Sequence, residues 1–345
     1  MPTLRHKIVS MIFGLSIALG ALAADPVAVN PAHPDRYTVV KGDTLWDISG
    51  QFLRDPWRWT DVWHVNPQIE NPHLIYPGDI ITMTYVNGQP RLSLQRGSVV
   101  KLSPQIRSTP LDGAIPAIPI DAIHQFLSRP YVMDKEAMDS APYVLAFDDE
   151  HVIGSNDIKA YVRSIDNSNN LTFDIIRPGG PYKDADSGEI LGYEARYVGR
   201  GDLTRTGDPA TVVLGATELE TLAGDRLIPT SEDIPMEAFH PKAPERQVKG
   251  SIISVMGGLS QVGQYQVVVL DRGASDGLEP GTVLAVDQRG KTIRDNISAD
   301  PKDRVTLPDE RAGTLMVFRT FERVSFALVM GASRTIHVLD RVHNP

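Results

Sequence analysis

The chain has 345 residues, 41% apolar and 22% charged, which suffices for two or three buried cores and is too apolar for a disordered chain. A formal charge of −9 argues against a basic nucleic-acid-binding face and against adhesion to anionic lipid by charge alone. The absence of cysteine excludes disulfides, thiol catalysis and a lipid-modified leader.

Residues 1–23 read as an export signal. Arg5, His6 and Lys7 make a basic start, an uncharged and mostly apolar run extends from Ile8 to Ala24, and Ala21-Leu22-Ala23 has the small-x-small pattern of a cleavage site. The run is shorter than the roughly 20 apolar residues that span a bilayer, so cleavage rather than anchoring is expected. Loss of Arg5 and Lys7 with the leader takes two positive charges and leaves −11. Residues 24–36 contain three prolines and read as a linker.

Residues 37–86 form the first module. Tyr37-Thr38-Val39-Val40 starts as a strand and runs into a Gly42-Asp43 turn. Thr44 and Asp47 have the spacing of a capping box, and Leu45, Ile48 and Phe52 recur at helical spacing. Asp55 and Pro56 are the N-cap and first residue of a second helix, on which Trp59, Val62 and Trp63 share a face until Asn66-Pro67 ends it. Pro77-Gly78 suits a type II turn, and Ile80 to Thr84 reads as the closing strand. The expected order is strand, helix, helix, strand.

These residues resemble a known family. Tyr37-Thr-Val-x-Lys-Gly-Asp-Thr-Leu-Trp-x-Ile48 followed by Asn71-Pro-x-Leu-Ile-Tyr-Pro-Gly-Asp79 is similar to the LysM peptidoglycan-binding module. The resemblance implies a shallow groove for N-acetylglucosamine polymers between two loops, carried here by Gly42, Asp43, Thr44 and Leu45 on one side and Asn71, Leu74, Ile75 and Tyr76 on the other. Backbone N–H and C=O groups in such loops can pair with N-acetyl amides while apolar side chains cover the acetyl methyl, and a site this small implies modest affinity. Each residue also has a structural role open to it: Asp43 and Thr44 as helix caps, Leu45 and Ile75 as core. Trp46, Trp59 and Trp63 read as core, whereas Trp57 and Tyr76 are the candidates for exposed aromatics. The Trp-rich middle, Leu53 to Val65, is longer than the family pattern and could alter sugar affinity or serve a protein contact.

Beyond Leu92 the chain alternates short apolar runs with Gly, Pro, Asp and Asn turns. Residues 92–229 are expected to be a β-rich middle domain, 230–249 a proline-rich linker, and 250–345 a second β-rich domain with strands at Gln266–Leu270, Thr282–Val286, Thr314–Phe318, Ser325–Met330 and Thr335–Leu339. Val212-Val-Leu-Gly-Ala-Thr217 ending in Asp225-Arg-Leu227 echoes Leu328-Val-Met-Gly-Ala-Ser333 ending in Asp340-Arg-Val342. Two similar β units in tandem would explain this, and so would coincidence between two strand–turn–strand stretches.

No catalytic set emerges. There is no His-Glu-x-x-His and no His-x-His pair. Gly273-Ala-Ser-Asp-Gly277 matches a nucleophile-elbow string, but another strand follows where that motif requires a helix. Asp184-Ala-Asp186-Ser-Gly188 lacks the Asp/Asn-Gly pair and the closing Glu of a calcium loop and reads as a polar turn. Glu237 and His240 have half a metal-site spacing and stop at Pro241. Acidic residues are plentiful enough for the paired carboxylates of a glycoside hydrolase, but 7% aromatic content, with the tryptophans in the first module, argues against a lysozyme-like domain. No enzyme, cofactor or metal is expected.

The series Gly250-Ser-Ile-Ile-Ser-Val255, Asp271-Arg-Gly-Ala-Ser-Asp-Gly-Leu-Glu-Pro-Gly-Thr-Val-Leu284, Leu307-Pro-Asp-Glu-Arg-Ala-Gly-Thr-Leu-Met-Val-Phe-Arg319 and Val324-Ser-Phe-Ala-Leu-Val-Met330 resembles the carboxy-terminal domain of the flagellar assembly protein FlgT. With LysM in front, and with Arg177-Pro-Gly-Gly-Pro181 and Ser187-Gly-Glu-Ile-Leu-Gly-Tyr193 between, the whole is similar to the type IV pilus secretin-associated (TsaP-like) family. That resemblance implies a periplasmic, wall-associated, non-enzymatic protein whose partners are peptidoglycan and an outer-membrane secretin ring, with no nucleic acid and no membrane span after signal cleavage. The residues by themselves also admit a wall-binding protein of another envelope pathway, or a peptidoglycan hydrolase. The fold class expected is multidomain: a small α+β LysM module followed by mostly-β domains.

Overall fold

A computed structural model describes residues 26–63, 75–95, 115–119, 122–123, 132–165, 171–230, 240–256, 261–297, 300 and 302–345. The proposed signal segment, Asn71, Leu74 and Glu237 lie outside the described residues.

The first module is built on β1 (Arg36–Thr38), α1 (Leu45–Phe52), a 3-10 turn at Pro56–Arg58 continuing into α2 (Trp59–Val62), β2 (Ile80–Val86) and β3 (Gln89–Gln95). Pro56 opens the turn without a side-chain cap from Asp55, so the second helix is tighter at its start and shorter than expected. The sheet order is β1-β2-β3, all antiparallel. The third strand corrects the expected boundary. Asn87 and Gly88, both at positive φ, form the tight turn that returns the chain alongside β2. Leu92 and Leu94 are then buried with Val39, Leu45, Ile48, Phe52, Ile75 and Ile81, so residues 92–95 belong to the first core rather than to the middle domain.

The middle domain contains β4 (Val132–Met133), α3 (Lys135–Ser140), β5 (Tyr143–Phe147), β6 (Ile153–Gly154), β7 (Lys159–Arg163), β8 (Thr172–Lys183), β9 (Ile190–Arg205), β10 (Ala210–Thr217), β11 (Thr221–Leu222) and β12 (Arg226–Pro229). Six strands run β10-β7-β5-β12-β8-β9, and the pairing of β9 with β10 closes the ring; β4 adds to the outside of β9. The interior is Val144, Ala160, Val162, Phe173, Ile175, Val212, Leu214 and Leu227 among others, from alternate positions of each strand.

The last domain contains β13 (Lys249–Val255), β14 (Gln261–Val262), β15 (Val267–Leu270), β16 (Val283–Gln288), β17 (Thr292–Arg294), β18 (Arg304–Thr306), β19 (Glu310–Thr320), β20 (Ser325–Ala332), β21 (Ile336–His337) and β22 (Arg341–His343). It is a closed barrel of order β13-β15-β20-β19-β16-β22. The fifth expected strand, Thr335–Leu339, is cut to two residues because Leu339 at φ +75° turns the chain. The expected linker is in part structural: Lys242 exchanges backbone hydrogen bonds with Gly281 and Val283, and Val248 is buried in the barrel core.

Read as rings, the two barrels have one topology. Replacing β5, β7, β8, β9, β10 and β12 by β13, β15, β16, β19, β20 and β22 converts one strand order into the other. The small pair β6–β11 likewise matches β14–β21. The sequence echo at 212–227 and 328–342 is thus one stretch of a duplicated unit, and coincidence does not account for it.

The barrels and the first module share a second core. In the last barrel, Val267 and Val269 on β15, Phe326 and Leu328 on β20, and Met316 and Phe318 on β19 point outward, yet are at most 4% exposed. They are covered by Tyr182 and Leu191 from the long β8–β9 hairpin, by Ile118 and Ile123, and by Trp46 of α1. Burial on both faces explains why β15 reads Val-Val-Val-Leu rather than alternating.

Candidate glycan-binding site

The two loops predicted to form the groove are built alike. Val40-Lys41-Gly42-Asp43 and Tyr76-Pro77-Gly78-Asp79 are both turns with glycine third, at φ +97° and +93°. In each, the last N–H donates to the first carbonyl, Asp43 to Val40 at 3.2 Å and Asp79 to Tyr76 at 3.0 Å. In each, the aspartate carboxylate then accepts from the first N–H, Val40 to Asp43 Oδ2 at 2.9 Å and Tyr76 to Asp79 Oδ2 at 3.0 Å. This is the type II turn that Gly at its third position permits. The turns are tied together, since Val39 N–H donates to Asp79 O and Gly78 N–H to Val39 O, both at 2.8 Å. Tyr37 Oη donates to Asp43 Oδ2 at 3.1 Å, and burial with this bond raises the phenol pKa.

Thr44 caps α1 as its spacing predicts. Its Oγ1 accepts from Asp47 N–H at 3.1 Å and donates to Asp47 Oδ2 at 2.7 Å. Leu45 and Ile75 are buried core residues, Gly42 is exposed, and Asp43 and Tyr76 are half-buried. Of the eight predicted site residues the structure therefore brings together Gly42, Asp43, Thr44, Leu45, Ile75 and Tyr76 at one end of the module, while Asn71 and Leu74 lie outside the described residues.

Three of the four tryptophans lie as expected, and Trp57 does not. Trp46 and Trp59 are buried and Trp63 packs on the module core. Trp57 is not an exposed platform: it is half-buried against the outer face of the last barrel. Tyr265 extends the same contact, its Oη donating to Asp47 Oδ1 at 2.8 Å. Burial and that bond push the Tyr265 phenol up to about 12. Tyr265 has φ +64°, which is strained for an aromatic residue. Sequence reasoning missed Tyr265 and missed the segment at Ile115–Ile118, where the Ile-Pro-Ala-Ile-Pro pattern alternates buried isoleucines with prolines that cannot continue a helix.

The two strings weighed for catalysis and calcium binding both lie in turns. Gly273–Gly277 is a 3-10 turn between β15 and β16, with Ser275 Oγ donating to Glu322 O at 2.7 Å. Asp184 Oδ1 accepts from the N–H groups of Asp186 and Ser187 and from Ser187 Oγ, forming a closed polar turn at the hairpin tip.

The turns, the capped helix and the three-strand sheet define a small α+β module. Residues 37–84 match the LysM domain family, a class that binds N-acetylglucosamine-containing glycans such as peptidoglycan. The chain is also similar to an uncharacterized protein, YqbP, of Bacillus subtilis (strain 168), 44% identical over 55 residues. That match spans 13% of this chain and a quarter of the relative's length.

Proposed function

We propose that this protein is a non-enzymatic envelope component that holds peptidoglycan through its LysM domain and, through its paired barrels, stabilises an outer-membrane secretin ring of the type IV pilus on the wall. The observation that carries the glycan half is the pair of Gly-Asp turns, tied to one another and set beside a capped helix, over residues that match LysM. The similarity of residues 250–330 to the FlgT carboxy-terminal domain, and of the arrangement to secretin-associated proteins, supports the secretin half. Periplasmic residence follows from the signal-like segment and from a wall ligand. One LysM domain gives modest affinity, and several copies around a ring raise it by effective concentration.

The test has two parts. The full chain is sedimented with purified peptidoglycan sacculi, and the tagged protein is recovered from crosslinked envelopes. Co-sedimentation together with an enriched ring-forming secretin is the expected outcome. Co-sedimentation with no secretin reduces the function to wall binding in another pathway. Dye release from labelled sacculi would overturn the non-enzymatic reading.

A further inference from the structure

The two loops expected to flank the glycan groove are bridged by the protein's own chain. Ile115 N–H donates to Ile75 O at 2.8 Å, Leu45 N–H donates to Pro116 O at 3.0 Å, and Trp46 N–H donates to Ala117 O at 3.1 Å. Leu45 stands on one rim of the groove and Ile75 on the other, so residues 115–117 bridge the two loops. One rim offers a donor and the other an acceptor. This is the pair of groups that an N-acetyl amide requires, and here a peptide strand satisfies both.

Leu45 and Trp46 are the first two residues of α1, and the N–H groups there have no partner within a helix. The Thr44 side chain serves Asp47 N–H and the Thr44 carbonyl serves Ile48 N–H, which leaves the first two for the strap. Ile115 is 6% exposed and lies in the module core with Leu45 and Ile75, the apolar floor that an acetyl methyl would meet. The strap is fixed at its other end too, since Ile118 and Ile123 are fully buried in the core shared with the last barrel. Pro116 and Pro119 fix their own φ and bring no N–H of their own, and the chain bends between them at Ala117 and Ile118.

We infer that residues 115–117 are an autoinhibitory strap: they close the glycan groove in the resting protein, and the wall is bound only when the strap is displaced, by glycan or by movement of the last barrel against the LysM domain. The inference rests on the glycan reading of the groove given above. It predicts that free protein binds glycan more weakly than its groove would allow, because the competent state is a minor population.

The test uses the full chain, the N-acetylglucosamine pentamer and amide hydrogen exchange. In Ile115→Asp the strap is expected to leave, Leu45 and Trp46 amides to exchange freely, and affinity for the pentamer to rise by about tenfold or more over wild type. Ile115→Ala keeps the site neutral and is expected to give a smaller gain in the same direction, which preserves the comparison if the charged variant fails to fold. In wild type, saturating pentamer is expected to release protection at Ile115. Equal affinity in wild type and variants, with Ile115 still protected at saturation, would overturn the strap while leaving glycan binding intact. Absence of binding in all of them, with Leu45 and Trp46 amides open in the variant, would overturn the glycan reading and the strap with it.

Discussion

Gly42 shows how a binding loop and a folding requirement fall on one residue. At φ +97° its backbone suits glycine, and a Cβ added there would meet nothing within 4 Å. The cost of Gly42→Val is therefore conformational rather than steric, about 1–3 kcal/mol in urea unfolding. Gly42→Asn should lose less, since asparagine enters positive φ more readily. If both variants kept wild-type stability, the turn would be adapting, and any loss of glycan binding would belong to the site alone. Leu339 poses the reverse case. It holds φ +75° in the turn His337–Asp340, in the place that Gly224 fills in the turn Leu222–Asp225 of the other barrel. In both, the closing aspartate accepts from the first N–H, at 2.7 Å from His337 and 2.8 Å from Leu222. Leu339 is 44% exposed, so little packing is lost on removing it. Leu339→Gly should stabilise by about 0.5–1 kcal/mol, as relief of strain outweighs the added chain entropy. A lower melting temperature for this variant would show that its side chain matters more than its backbone.

At the scale of elements, α1 depends on its cap. Thr44→Ala removes the acceptor for Asp47 N–H and should cost about 1 kcal/mol, measured by denaturant unfolding. Thr44→Ser should retain most of that, and an equal loss in both would point to packing of the methyl group instead. This cap was legible in the sequence because capping, turn chemistry and helical spacing are local: Thr44 to Asp47, Pro77 to Asp79 and Leu45 to Phe52 are each decided within a few residues. Asn87-Gly88 was equally local, and it marks the hairpin that puts Leu92 and Leu94 in the first core. Longer-range facts were not legible. Trp46 and Trp57 have apolar side chains under any reading, and nothing near them in sequence says that a barrel more than 200 residues later covers them. The strap hides for the same reason: Ile115 and Ile118 lie three residues apart, yet one enters the LysM core and the other the shared core.

At the scale of the molecule, the duplicated barrels differ in how each elaborates one connection. Between β8 and β9 the strands are lengthened, to 12 and 16 residues, and the tip reaches the last barrel. Between β16 and β19 the chain instead inserts the β17–β18 hairpin. Only a short echo betrayed the duplication in sequence, because a barrel constrains inward-facing character rather than identity at each position. The lengthened hairpin packs on the last barrel through Tyr182 and Leu191 and adds ion pairs around that apolar contact. Arg272 donates to Asp184 Oδ2 at 2.9 Å, and Arg323 donates to Glu189 Oε1 at 2.9 Å. The Asp184 carboxyl is held well below the usual range, chiefly by Ser187 N–H and also by Arg272. A folded pKa below the unfolded value means that the contribution of Asp184 is complete above the unfolded pKa of roughly 4 and is lost as pH falls toward the folded value. Asp271, beside the same arginine, has the opposite sign: burial raises its pKa, so acid favours its folded form. Asp184→Asn isolates the first effect. The stability gap between wild type and this variant should be constant above about pH 5 and narrow steadily below about pH 4. A gap unchanged at low pH would mean that Asp184 acts through its turn hydrogen bonds irrespective of charge. In that case the ion pair would add little to the docking that Tyr182 and Leu191 already supply.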